Sequence, residues 1–249
     1  MSERFLLIDI SNSFTKIALA DASRLLQRKK VATASLSVES ILKMVEKWKF
    51  DRFAFCSVVP DKNRFITGAF GTQGLQLSHK IDLGIGIDYP RPATIGGDRL
   101  ANAVGAVHLY GAPAIVVDFG TAVTFDIISK DKMYLGGVIA PGLAVMTDYL
   151  FDRTALLPKI DLSEPVSAIG RTTKGAMLAG AVHGYRGLVK EILAQIRMEL
   201  GSKKVHIIGT GGYAELIGSR LPILKIINPD LTLEGMRIVA LRNRNLSNL

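Results

Sequence analysis

A short pattern that occurs twice in the sequence constrains the fold more than any other feature. The apolar run Leu6–Ile8 ends at Asp9, and a polar turn follows before Thr15. The same order recurs where the run Ile115–Val117 ends at Asp118, with a threonine again six residues after the aspartate. Each copy predicts two strands joined by a tight turn, a hairpin. The offset of 109 residues from Asp9 to Asp118 is too long for a solenoid repeat, so the pattern predicts two similar lobes.

Hydrophobic spacing and turn residues predict further elements. Ser37 can cap a helix that carries apolar residues at helical spacing as far as Trp48. Asp98 can cap a second helix, 99–110, which Gly111 would end. The other predicted strands are Phe53–Val59, Leu75–Leu77, Met133–Ile139 and Val205–Ile208, and the other predicted helices are Lys174–Leu200 and Leu231–Arg242. This mixture of strands and helices predicts an α/β fold.

The composition excludes several classes of protein. Of the 249 residues, 48% are hydrophobic and 21% are charged, which is typical of globular rather than disordered chains. Cys56 is the one cysteine, so no intrachain disulfide can form and a reducing compartment is the default. The longest apolar stretch, near Gly136 to Met146, is far shorter than the ~20 residues that a membrane span needs. We therefore expect a cytoplasmic protein with no membrane partner.

The net charge of +9 suggests anionic partners. The positive residues are scattered, and their densest runs are Arg28–Lys30 and Arg242–Arg244. Neither run alternates with aromatic residues, as a platform for single-stranded nucleic acid would. We interpret both runs as solvated loop or terminal charge, and we expect no nucleic-acid partner.

An aspartate at the end of a buried strand, followed by a tight turn, is suited to bind phosphate and a metal ion. Amides of the turn can donate to phosphate oxygens, and the carboxylate can hold Mg²⁺. For one copy, an ordinary hairpin turn explains the residues as well. Two copies, together with the glycine-rich turn 209–212 before a predicted helix, favour nucleotide binding. The turn is not a P-loop, because no Gly-Lys-Ser/Thr follows the glycines. It is not a dinucleotide fingerprint either, because the G-x-G-x-x-G spacing is absent.

These three elements, in this order, resemble the phosphate 1, phosphate 2 and adenosine motifs of the actin, sugar-kinase and Hsp70 superfamily. Within that superfamily the chain is similar to type III pantothenate kinase. The strings that carry the similarity are Gly96–Ala103, Asp118–Thr124 and Gly136–Gly142, with further similar segments at Cys56–Pro60, Ile169–Thr173 and Leu231–Gly235. The similarity follows the family's order over nearly the whole chain.

The resemblance implies an α/β fold of two actin-like, ribonuclease H-like lobes, 1–112 and 113–249, with a nucleotide cleft between them. It also implies transfer of a phosphoryl group from ATP to the 4′-hydroxyl of pantothenate, the first step towards coenzyme A. The implied cofactors are ATP with Mg²⁺ and a monovalent cation, K⁺ or NH₄⁺. The implied partners are pantothenate, ATP and a second copy of the chain in a homodimer.

The resemblance further assigns roles to residues that match the family's motifs. Asp98 would be the catalytic base that takes the proton from the pantothenate hydroxyl, in addition to its role as a helix cap. The ATP site would comprise Asp9, Ile10, Ser11, Asn12, Ser13, Phe14, Thr15, Lys16 and Thr121. The pantothenate site would comprise Tyr89, Gly96, Gly97, Asp98, Arg99 and Thr173. Asp9 would also lie near the divalent metal, and Asp118 would bind the monovalent cation.

Two of these residues have structural alternatives. The planar fork of Arg99 suits a carboxylate or phosphate ligand, but a surface salt bridge would explain it too. Tyr89 fits a packed loop aromatic nearly as well as a substrate contact.

Small residues crowd Gly175–Gly187 in the predicted helix Lys174–Leu200, where a close approach inside the lobe and a dimer contact both fit. In the dimer reading, the pantothenate site would be completed near the subunit boundary.

The first loop departs from the family at one position. The family reads Asp-x-Gly-Asn-Thr where this chain has Asp9-Ile10-Ser11-Asn12-Ser13. If that position needs a positive φ, serine is penalised there, so Ser11→Gly is expected to tighten ATP binding or leave it unchanged. The departure keeps one alternative open, a catalytically weak or inactive family member that acts as a regulatory or accessory nucleotide-binding protein. A superfamily kinase with another small substrate is a second alternative, against which the motif 96–99 argues.

Overall fold

The computed structural model describes residues 3–202 and 204–245. In chain order, the strands in these residues are β1 (Phe5–Ile10), β2 (Phe14–Ala20), β3 (Leu25–Ala32), β4 (Arg52–Ser57), β5 (Leu75–Gln76), β6 (Gly86–Ile87), β7 (Ala114–Phe119), β8 (Ala122–Ile128), β9 (Met133–Pro141), β10 (His206–Thr210) and β11 (Ile226–Ile227). The α-helices are α1 (Val38–Val45), α2 (Asn63–Phe70), α3 (Gly97–Tyr110), α4 (Leu143–Arg153), α5 (Thr173–Leu200), α6 (Ala214–Gly218) and α7 (Leu231–Arg242).

The chain divides into two compact units. The first contains the residues up to Gly111, the short segment Lys132–Leu135 and the residues from Asp230 onward. The second contains Ala112–Asp131 and Gly136–Pro229. Each unit has a mixed β-sheet with helices, which confirms the predicted α/β class.

The sheet of the first unit has the strand order β3-β2-β1-β4-β5. β1 is buried along its whole length, because β2 pairs with it antiparallel on one side and β4 pairs parallel on the other. The predicted first hairpin is therefore confirmed. On one face of the sheet, Ile8 and Ile17 form a core with Ile41 of α1 and Ile66 of α2.

One prediction about the positive residues is wrong, and the edge of this sheet explains why. Arg28–Lys30 lies in β3, the edge strand, and not in a loop as predicted. Its basic side chains are exposed, and charged residues on an edge strand disfavour pairing with another chain. An alternation signal was missing because only Leu25 of this strand is buried.

Local sequence signals place α1 and the end of α3 correctly. The hydroxyl of Ser37 accepts from the Ser40 amide at 3.1 Å, and the Ser40 hydroxyl accepts from the Ser37 amide at 2.9 Å. This capping box starts α1 at the predicted cap. The helix ends at Val45, so Trp48 follows it and is buried against the same core. Gly111, with φ of 95°, ends α3 as predicted.

Two glycines allow α3 and α7 to cross at very short range. A Cβ on Gly105 would lie 2.8 Å from the carbonyl oxygen of Leu231, and a Cβ on Gly235 would overlap the carbonyl oxygen of Ala101. Beside this crossing, the buried Thr232 hydroxyl donates to Asn102 Oδ1 at 2.8 Å. This packing holds α7 in the first unit, whereas chain order had placed residues 230–249 in the predicted lobe 113–249.

The second unit repeats the hairpin of the first. β7 and β8 pair antiparallel, and β10 pairs parallel with β7, followed by β11. The core of this unit lies between the sheet and α5. Its buried members include Val117, Phe119, Phe125, Val182, Tyr185 and Val189. The predicted boundaries of α5 and α7 agree with the structure to within one residue.

In the part of the chain that the structure describes, no helix is both long enough and apolar enough to cross a membrane.

Candidate active site

The first hairpin places a buried carboxylate beside an exposed turn. Asp9 lies near the end of β1 and is only 2% exposed, whereas Asn12 and Ser13 in the following turn are exposed. The Ser11 amide closes the turn by donating to the carbonyl oxygen of Phe14 at 3.2 Å. The predicted ATP residues Asp9–Lys16 therefore form one strand end, one turn and the start of the next strand.

Positive charge lies next to this hairpin. Lys16 is the register partner of Asp9 on β1 and of Lys30 on β3. Lys30 Nζ lies 3.6 Å from the centroid of the Phe14 ring, in a cation–π contact. Two ammonium groups in neighbouring register positions favour an anionic ligand at this end of the sheet.

Cys56 contacts Asp9, and the charges of both key aspartates of the first unit act on its thiol. Its Sγ lies 3.5 Å from Asp9 Oδ1, and the residues are register partners on β4 and β1. Burial is the main cause that raises the pKa of the Cys56 thiol, and the charges of Asp9 and Asp98 raise it further. Both carboxylates therefore lie close enough to act on one buried thiol, which stays protonated and can donate.

The start of α3 is shaped around the Asp98 carboxylate. The N-cap is Gly96 and not Asp98, so the predicted cap is wrong by two residues. Asp98 Oδ1 instead accepts from the Arg99 amide at 2.8 Å, and a Cβ on Gly96 would overlap that oxygen. A Cβ on Gly97 would lie 2.9 Å from the carbonyl oxygen of Leu77. The first glycine makes room for the carboxylate, and the second lets the helix start close to the sheet.

Arg99 lies beside a pair of packed tyrosines. The guanidinium of Arg99 lies 5.9 Å from the ring centroid of Tyr134, and Tyr89 meets the same ring edge to face at 6.4 Å. Tyr134 is fully buried, while Tyr89 is 37% exposed. Tyr89 is thus both a packed aromatic and a surface that a ligand can reach. Of the predicted pantothenate residues, Tyr89 and 96–99 all belong to the first unit.

The second unit carries the other predicted phosphate elements. Asp118, near the end of β7, is the register partner of Thr210 on β10. Gly211 follows with φ of 90°, and a Cβ there would overlap Asp118 Oδ1. Glycine is therefore required at position 211 for two reasons: the backbone there is left-handed, and it passes too close to the Asp118 carboxylate for a side chain.

Thr121 and Thr173 also belong to the second unit. Thr121 is exposed in the β7–β8 turn, and its carbonyl oxygen accepts from the Gly142 amide at 3.1 Å. Thr173 is the first residue of α5, where the hydroxyl of Thr172 caps the helix by accepting from the Gly175 amide at 3.1 Å. Both threonines are thus held at points where the backbone is fixed by neighbouring hydrogen bonds.

Within residues 3–202 and 204–245, no group of three or more His, Cys, Asp or Glu side chains is placed to hold a metal ion. A site with single carboxylates at strand ends is suited to a metal that arrives with a polyphosphate, since Mg²⁺ uses one or two carboxylates plus phosphate oxygens. Carboxylates, a phosphate-type turn and an arginine beside two packed tyrosines together suit phosphoryl transfer to a small acidic substrate.

Comparison with known proteins identifies the family. The family model described as type III pantothenate kinase matches residues 5–195. The chain belongs to the type III pantothenate kinase family. Proteins named type III pantothenate kinase are 49% identical in Akkermansia muciniphila, over 95% of this chain and 98% of that protein, and 44% identical in Methylacidiphilum infernorum, over 94% and 87%. Members of this family phosphorylate pantothenate in coenzyme A biosynthesis.

Solved structures agree on the fold. A Campylobacter jejuni protein described in the Baf family of transcriptional activators superposes with a TM-score of 0.61 at 21% identity, covering 97% of this chain and all of that one. An inorganic polyphosphate/ATP-glucomannokinase from Arthrobacter superposes with a TM-score of 0.53 at 15% identity, covering 96% of this chain and 99% of that one. Both likenesses support the actin-like α/β fold that the resemblance implied.

The sequence alone assigns no role to three residues that lie beside predicted site residues. Cys56 and Tyr134 belong to the first unit, and Thr210, which the sequence places only in the glycine-rich turn, belongs to the second. Strand register brings Cys56 to Asp9 and Thr210 to Asp118, and register is a long-range property. Both pairs could have been predicted if the parallel neighbours of β1 and β7 had been known.

Proposed function

We propose that this protein transfers the γ-phosphoryl group of ATP to the 4′-hydroxyl of pantothenate, the first step towards coenzyme A. The observation that carries the proposal is the start of α3, where Gly96 makes room for the Asp98 carboxylate and Arg99 follows. This arrangement occurs in the motif through which the chain resembles its family. The cytoplasmic location expected from composition stays a prediction.

The roles of the residues follow from where they lie. Asp98 would accept the proton of the pantothenate hydroxyl, since its carboxylate is fixed at the start of a helix. Arg99 would bind the carboxylate of pantothenate, with Tyr89 and Thr173 as further contacts. Asp9 to Lys16 and Thr121 would hold the ATP phosphates. These assignments are supported by the buried carboxylate of Asp9, the half-buried carboxylate of Asp98, the exposed turns and the cations described above.

Asp9 would hold the divalent metal that comes with ATP. Its buried carboxylate, at the end of β1 beside a phosphate-type turn, fits Mg²⁺, which needs few protein ligands when phosphates are present. When bound, Mg²⁺ neutralises the charge that develops on the transferred phosphoryl group. Lys16, the register partner of Asp9, would add a second positive charge near the phosphates.

Asp118 would hold the monovalent cation, and Thr210 supports this assignment. Thr210 is fully buried, and its hydroxyl has no hydrogen-bond partner among the described residues. Its register position places it next to Asp118, on the same face of the sheet. K⁺ binds to oxygen atoms that replace its hydration shell, so a carboxylate with a neighbouring unpaired hydroxyl fits this ion.

Thr210→Val should separate binding of the cation from stability. Valine has nearly the same shape and removes a buried, unpaired hydroxyl, so without K⁺ the melting temperature is expected to stay equal or rise by a few degrees. The stabilisation that K⁺ adds to the wild type should shrink, and half-maximal activity should need severalfold more K⁺. Thermal unfolding in a K⁺ series measures this, with Thr210→Ser as the control that keeps the hydroxyl. An unchanged K⁺ response in the valine variant would exclude Thr210.

The homodimer is proposed through the face formed by α4 and α5. Among residues 3–202 and 204–245, a Cβ on Gly180, Gly184 or Gly187 would meet no atom within 4 Å other than the neighbouring backbone of its own helix, so these glycines do not serve packing inside their own unit. Between α4 and α5 lies a groove of about 730 Å³. Its apolar lining includes Val145, Met146, Tyr149, Leu150, Met177 and Gly180. A second copy would cover the exposed apolar side chains that α4 contributes to this groove, and Thr173 starts α5, the other helix of the groove.

Gly180→Leu should disrupt this dimer without damaging the monomer. The added side chain enters open space in the single chain but would collide with a partner on this face. Ala194→Leu adds similar bulk to an exposed position of α5 about 21 Å further along the helix axis and is the control. Sedimentation velocity should show a folded monomer with weakened pantothenate binding for Gly180→Leu and a dimer for Ala194→Leu. A well-behaved Gly180→Leu dimer, or a monomeric wild type at micromolar concentration, would refute the proposed interface.

The activity itself is tested by a coupled ADP-release assay with and without pantothenate, first in K⁺ and then in Na⁺. Pantothenate-dependent release that is faster in K⁺ supports the proposal. Release that depends on another small alcohol in a substrate panel would instead favour a different kinase of the superfamily. ATP binding without turnover of any acceptor would favour the regulatory or accessory alternative.

A further inference from the structure

The residue by which the first loop departs from the family makes a specific contact in this structure. Ser11 Oγ donates to Asp9 Oδ1 at 3.2 Å, and Cys56 Sγ reaches the same oxygen at 3.5 Å. Two donors therefore converge on one oxygen of a carboxylate that is almost completely buried. A thiol is a weak donor, so the serine hydroxyl is the stronger of the two.

The backbone of Ser11 is fixed on both sides, which keeps its hydroxyl next to Asp9. Its amide donates to the Phe14 carbonyl at 3.2 Å, and its carbonyl accepts from the Thr33 hydroxyl at 2.7 Å. The Thr33 hydroxyl also lies 3.0 Å from that of Thr15, and the Thr33 amide donates to the Ser13 carbonyl at 3.0 Å. Thr33, the buried residue that directly follows β3, thus braces the turn from the side.

This position does not need glycine for its conformation. Among the described residues other than glycine, only Lys132 has a positive φ, so Ser11 is not in the left-handed region. Serine at this position therefore causes none of the backbone strain that the sequence predicts, and its hydroxyl adds a hydrogen bond that glycine could not make. The expectation that Ser11→Gly would tighten ATP binding or leave it unchanged no longer holds.

We propose that Ser11 is a positioning residue that holds the Asp9 carboxylate in one orientation before the metal–nucleotide complex binds. The inference rests on the proposed function, in which Asp9 faces the divalent metal. A carboxylate that is already oriented loses less conformational freedom on binding, so the hydroxyl contributes to affinity for the metal complex and not for ATP alone. Partners that orient a metal ligand are worth about 10–100-fold in metal affinity when removed.

The test compares Ser11→Ala, Ser11→Gly and Ser11→Thr with the wild type. Isothermal titration calorimetry measures the Kd of ATP with Mg²⁺ and with EDTA, and thermal unfolding confirms that each variant folds. We expect alanine and glycine to weaken binding of the Mg²⁺ complex about tenfold, while binding without metal changes less than twofold. Threonine keeps the hydroxyl and should recover most of the loss, which a merely structural role would not predict.

The outcomes distinguish this proposal from the function on which it rests. Equal or tighter binding of the Mg²⁺ complex by Ser11→Ala overturns the positioning role and leaves the kinase activity intact. An equal loss with and without metal overturns it too, because the hydroxyl would then act on ATP or on the fold. If Ser11→Ala weakens binding of the Mg²⁺ complex as expected but the wild type phosphorylates no pantothenate, the proposed substrate is refuted and the positioning role is supported. A wild type without affinity for ATP refutes both.

Discussion

Asp98→Asn is expected to lower kcat by about 10²–10⁴-fold, the contribution typical of a general base. The amide oxygen of asparagine can still accept from the Arg99 amide, as Asp98 Oδ1 does at 2.8 Å, so the start of α3 should keep its geometry. The variant loses the capacity to take a proton but keeps the shape. Because the N-cap is Gly96, the helix does not depend on the charge of this side chain for capping.

The measurement is steady-state kinetics with saturating ATP, Mg²⁺ and K⁺. KM for pantothenate and the Kd of the Mg²⁺–ATP complex should change little, since the substitution removes a proton acceptor and not a binding surface. Asp61→Asn, at an exposed position of the same unit, is the matched control and should behave like the wild type. A well-folded Asp98→Asn with near wild-type turnover would remove Asp98 from the chemistry.

Much of the fold was predictable because its strongest signals are local. β1 and β7 are continuous apolar runs that end near an aspartate, and β2 begins at the predicted Phe14. Ser37 starts α1 through its own side chain, and Gly111 ends α3 by its backbone conformation. In each case the residue that sets the boundary lies within a few positions of it, so the sequence contains the cause.

The errors occur where the direction of a side chain or a distant residue decides. Asp98 has the ordinary properties of a cap, but its carboxylate accepts from the amide of the adjacent Arg99 and fills the space above Gly96, a side-chain direction that residue spacing does not reveal. The contact between Ser11 and Asp9 depends on a turn that Thr33, directly after β3, braces from 22 residues further along the chain. The family resemblance named the site residues, but it carried no information on a residue by which this chain differs.

Gly235→Ala is the change expected to damage stability most, by about 3 kcal/mol, through overpacking. A Cβ on Gly235 would overlap the carbonyl oxygen of Ala101, and backbone cannot rotate away as a side chain can. The neighbouring hydrogen bond between Thr232 and Asn102 is buried and ties the same two helices together. To admit the methyl group, α7 must move from α3 and weaken that bond as well.

The matched control is Gly187→Ala, the same chemical change in the interior of α5. In the part of the chain that the structure describes, a Cβ there would meet no atom within 4 Å beyond the neighbouring backbone of α5, so alanine should stabilise the helix by about 0.5–1 kcal/mol. Urea unfolding of both variants, at the same protein concentration, measures the opposite signs. Gly235→Ala should also slow phosphoryl transfer, because Ala101 lies three residues after Asp98 on α3 and a shift of this helix displaces the carboxylate. If Gly235→Ala unfolds at the wild-type urea midpoint, the two helices have room for a methyl group, and their close crossing does not determine the position of Asp98.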